Sequence, residues 1–115
     1  MADPHLANLR DFNQTFGRIG TTSIDFGAFP GTTDASVDVR SQAGINANAV
    51  LEAWIVATAT ADHSVDEHRL DAPILTAGNI IPGQGFTIYG VNQTRPGSKN
   101  LRTYGKWSVA WRWTN

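Results

Sequence analysis

The sequence predicts an all-β domain, an antiparallel β-sandwich of jelly-roll or immunoglobulin-like type, behind a short N-terminal arm or helix. Three observations predict it. Five to seven short stretches alternate apolar and polar residues or run apolar throughout, Gly- and Pro-bearing turns separate them, and no long helical period follows the first twenty residues. At 115 residues, 41% hydrophobic and 17% charged, the chain has the length and composition of one folded domain, not of a disordered chain or a coiled coil.

Residues 1–20 read as the arm. Asp3 is placed to cap a short helix with Pro4 at its first position, and Leu6, Leu9, Phe12 and Phe16 follow at spacings of three and four, an apolar stripe. Such a stripe either meets a partner or folds back on its own domain. Residues 21–115 form the β-domain. Ser23 to Phe26 alternates weakly, Phe29-Pro30-Gly31 marks a turn, and Ala35, Val37 and Val39 alternate with Ser36, Asp38 and Arg40 as a half-buried strand. Ala49 to Ala59 is apolar on both parities except at Glu52 and Thr58, which predicts a central strand covered on both faces, with a buried helix as the alternative. Ala72 to Ile81 and Phe86 to Val91 are strands around the turn Pro82-Gly83-Gln84-Gly85. The last strand carries Trp107, Val109, Trp111 and Trp113 on one parity. Three indoles and a valine on one strand face read as a core wall; the alternative is a platform that stacks sugar rings.

Charge is segregated along the sequence. All ten acidic residues lie within residues 1–71 against four basic ones, a net charge of -6; residues 72–115 hold five basic residues and no acidic one, which returns the whole to -1. The expectation is opposite fields on two surfaces that set contacts between copies, unless the fold interleaves the strands and mixes the charges. With no cysteine, disulfides, thiolate nucleophiles and cysteine-held zinc are excluded. No apolar run reaches the roughly 18 residues of a membrane span, and Met1-Ala2-Asp3-Pro4 lacks the basic and apolar segments of a secretion signal, so the chain reads as soluble, without membrane contact, and not exported by that route.

The densest polar cluster is Asp62-His63-Ser64-Val65-Asp66-Glu67-His68, with Asp71 beyond it. Two imidazoles among carboxylates make His63, Asp66 and His68 candidate ligands for a divalent metal, the one cofactor that the sequence suggests. The two histidines are five apart, a spacing that fits neither a helix face nor a strand face. The alternative is a charged turn whose side chains hydrogen-bond backbone groups and hold two strands together. No catalytic residues are assigned, because Ser64 beside His63 forms no nucleophile elbow and Gly83-Gln84-Gly85 is no phosphate loop. The segment from Thr94 to Lys106 carries Arg95, Lys99 and Arg102, candidate partner-binding cations on a hairpin loop. The overall acidity argues against dedicated nucleic-acid binding.

In Ser23–Gly31, Ala59–His68, Gly83–Ile88 and the closing Gly105–Trp113, the chain resembles small β-rich structural proteins of tailed bacteriophages and prophages. The stretch Asp62-His63-x-x-Asp66-Glu67-His68 is the most distinctive part, and residues 1–20 lie outside the likeness. The resemblance implies a non-enzymatic virion component, a head decoration or tail-associated protein made in the host bacterial cytoplasm, which forms a homo-oligomer and contacts other virion proteins. Leu6, Leu9, Phe12 and Phe16 would then anchor the arm, while the charged surfaces set register. The alternative function is a receptor- or glycan-binding module of a phage fibre.

Overall fold

A computed structural model describes residues 17–93 and 102–115, and among these the chain forms six strands and one short helix. In order they are β1 (Gly17–Asp25), β2 (Asp34–Val39), β3 (Val50–Ile55), α1 (Val65–Leu70), β4 (Ile74–Ile81), β5 (Gly85–Val91) and β6 (Lys106–Thr114). They pair into two antiparallel three-stranded sheets, β1-β6-β3 and β2-β5-β4. The all-β class stands.

Alternation explains the core. β6 is the middle strand of the first sheet, and its apolar parity, Trp107, Val109, Trp111 and Trp113, is buried with Ile24 of β1 and Phe26 just beyond it. β5 is the middle strand of the second, and contributes Phe86 and Ile88; Val39 and Ile45 complete the cluster. The tryptophan row is therefore a core wall, and its indoles are withdrawn from any sugar platform. Gln42, itself buried, accepts a hydrogen bond from Trp113 Nε1 at 2.9 Å and so fixes one of these indoles at the end of the wall. Gly90 on β5 is a close-approach position, because a Cβ there would lie 2.9 Å from Ile24 Cδ1 and 3.0 Å from Phe26 Cζ.

Several expectations change. Among the described residues β3 is an edge strand of six residues, not a central one: it pairs there with β6 alone, and Val50, Glu52 and Trp54 face outward. Both parities are apolar because its outer face carries exposed apolar side chains, a distinction that periodicity cannot draw. β1 begins at Gly17, opposite Thr114, so residues 17–20, read as part of the arm, belong to the sheet. Leu6, Leu9, Phe12 and Phe16 lie outside the described residues, as do Arg95 and Lys99. The two ends of the charge gradient are interleaved where described: β6 runs between β1 and β3, Lys106 stands opposite Asp25, and Arg112 Nη2 meets Glu52 Oε1 at 2.7 Å.

Candidate functional site

The polar cluster of residues 60–71 folds onto the first half of β6. Ser64 is the N-cap of α1, its hydroxyl accepting from the Glu67 N–H while the Glu67 carboxylate accepts from the Ser64 N–H, a complete capping box. Asp66 and Glu67 in the first turn and His68 and Arg69 in the last suit the helix dipole. The sequence carried this signal in Ser64-x-x-Glu67. A charged turn was expected there, and a capped helical turn is found.

β3 ends at Ile55, whereas β6 continues to Lys106, so the edge of β6 beyond β3 needs other partners. Side chains largely supply them. Val56 N–H donates to the Ser108 carbonyl at 2.9 Å, and the Ser108 N–H donates to His68 Nε2 at 2.9 Å. The Lys106 N–H donates to Asp62 Oδ2 at 2.8 Å, and Thr60 Oγ1 donates to the Lys106 carbonyl at 2.7 Å. The segment thus stands in for the missing continuation of β3, as an edge strand's unpaired groups require.

The two histidines are both buried and play opposite hydrogen-bonding parts. His63 sets Nδ1 2.7 Å from Glu67 Oε2 and Nε2 2.6 Å from the Tyr104 carbonyl oxygen, so both ring nitrogens face acceptors. His68 donates from Nδ1 to the Ser64 carbonyl at 2.8 Å and accepts at Nε2, the pattern of a neutral ring. His63 stacks on the Trp107 indole with centroids 3.7 Å apart and planes at 17°, and His68 meets the same indole edge-on at 5.0 Å. The hydrogen bond from His63, followed by that from the Ser64 backbone, holds the Glu67 carboxyl below its ordinary value of 4.5. Gly105, at φ 72°, closes the cluster: a Cβ there would meet the Asp62 side chain at 2.6–2.9 Å.

This arrangement corrects the metal assignment to His63, Asp66 and His68. All four imidazole nitrogens are engaged by protein groups, and Asp66 pairs with Arg69 at 3.1 Å on the outside of α1. Among the described residues no group of three or more His, Asp or Glu side chains is placed to hold an ion. The cluster does what the alternative reading foresaw, tying a connection to the sheet. What the sequence reading missed are its receiving groups, the Tyr104 carbonyl and the backbone of Lys106 and Ser108, which no side-chain pattern announces.

Of the basic loop, Arg102 is described and exposed, and Thr103 next to it exchanges backbone hydrogen bonds with Thr32 at 2.9 Å each. Exposed apolar residues lie elsewhere: Phe29 in its turn, Val65 and Leu70 on α1, and others on the outer faces of the sheets. Ile19, Val50 and Trp54, 70%, 64% and 38% exposed, face out from the first sheet. Ile74 and Val91, cross-strand partners on β4 and β5, are exposed on the second with Tyr89 nearby. No protein-family model, curated protein or solved structure matches this chain.

Proposed function

We propose that the chain is a non-enzymatic structural protein of a tailed-phage virion, a head decoration or tail-associated component, built as a β-sandwich that self-associates and docks on the particle through its N-terminal segment. The observation that carries this reading is the distribution of side chains. The polar cluster most suggestive of chemistry is spent on internal hydrogen bonds, while large apolar side chains stand exposed on the outer faces of both sheets. Exposed apolar groups gathered on a sheet face suit contact with other protein surfaces. The resemblance in Asp62–His68 and Gly105–Trp113 supplies the virion context. A glycan-binding module would have Trp54 as its one exposed indole, with Tyr89 on the other sheet and Phe29 in its turn, since the other three indoles are in the core.

Deleting residues 2–16, which leaves β1 to β6 intact, should abolish incorporation into particles while far-UV circular dichroism and thermal unfolding stay those of a folded β-domain. Normal decoration of particles by the shortened chain would refute the reading.

A further inference from the structure

The outer face of β1-β6-β3 is an open surface with a definable size. Ile19, Thr21, Arg112, Ala110, Glu52, Val50 and Trp54 share it, because paired residues of antiparallel strands point to the same side. At its β1 end lies a groove of about 300 Å³ lined by Gly17, Arg18, Ile19, Arg112, Trp113 and Thr114, where the sixteen preceding residues join the sheet. Strand spacing and rise make the face about 14 Å by 30 Å, or roughly 400 Å². A stable interface buries about 800 Å² per partner, so flat pairing of two such faces falls short by about half. A sixteen-residue segment, about 24 Å long and 10 Å wide if helical, fits within the face.

We propose that this face receives residues 1–16 of a neighbouring copy, with Leu6 and Leu9 of that segment set against Ile19, Val50 and Trp54. The contact rests on the assembly reading above and specifies it. Two further features support the choice of occupant. The segment holds Leu6, Leu9, Phe12 and Phe16 within sixteen residues, enough apolar surface to cover the three exposed side chains. And Gly17 is still paired with Thr114, so the segment joins the sheet at its very end, beside the groove. Sixteen extended residues reach about 50 Å, farther than the length of the face.

The test uses the full chain in sedimentation equilibrium. The face variant carries Ile19→Lys and Val50→Lys, two substitutions at exposed positions that leave the core untouched. The segment variant carries Leu6→Ser and Leu9→Ser. Wild type should sediment at a multiple of the single-chain mass, and each variant should fall to the mass of one chain. An equimolar mixture of the two should recover a two-chain species and nothing larger, since only one intact segment then meets one intact face. A single-chain mass for wild type, a wild-type mass for either variant, or a mixture that stays single-chain overturns the proposal. A single-chain protein that still needs residues 2–16 for particle incorporation would overturn this contact while leaving the docking of the chain on the particle intact.

Discussion

Glu67 is the residue on which the cluster's electrostatics converge, since it closes the capping box with Ser64 and holds His63 at 2.7 Å. Its carboxyl titrates lower in the folded chain than in the unfolded one, so the stability it confers is complete above the ordinary carboxylate value and is lost as pH falls through the depressed folded value. Its side chain is 42% exposed, and screening by water keeps the effect at or below about 1 kcal/mol. Glu67→Gln keeps the shape of the capping box and removes the charge. Thermal melts of the two proteins should differ above the carboxylate range and converge under acid. A difference that persists undiminished into strong acid would show that charge is not what Glu67 contributes.

Among the elements, legibility in the sequence followed how much of each strand's environment is local. β2, β4, β5 and β6 were readable because the alternation at Ala35, Val37 and Val39 and the Trp107–Trp113 row report one buried face, and the glycines at Gly83 and Gly85 mark a hairpin. β3 was misread because Val50 and Trp54 are apolar yet exposed, and a strand's rank within its sheet depends on partners far along the chain. The role of His68 was hidden for the same reason: its acceptor nitrogen is used by the backbone of a residue 40 positions away. Two glycines turn this distinction into a measurement. Gly90 faces Ile24 and Phe26 across the core, so Gly90→Ala should overpack the gap and cost about 1–3 kcal/mol. Gly78 on β4 has nothing within 4 Å of where a Cβ would stand, and Gly78→Ala should be neutral or slightly stabilising by restricting the unfolded chain. Denaturant midpoints that drop equally for the two variants would contradict the close contact at Gly90.

For the molecule as a whole, the four tryptophans divide its surface from its interior and so report on both. Trp107, Trp111 and Trp113 are buried on the inner face of β6, whereas Trp54 lies on the outer face of β3, at the edge of the surface proposed to receive a neighbour's segment. A neutral quencher such as acrylamide reaches exposed indoles and spares those behind a packed core. In dilute wild-type protein the quenchable emission should therefore come from Trp54, and Trp54→Phe should remove nearly all of it while leaving the melt unchanged, since the ring makes no part of the core cluster. Raising the protein concentration should protect Trp54 in wild type and fail to protect it when Leu6 and Leu9 are both serine. Extensive quenching that survives Trp54→Phe would place another indole at the surface and reopen the sugar-platform reading. Protection of Trp54 at every concentration, abolished by the same serine pair, would locate the segment on the face of its own chain.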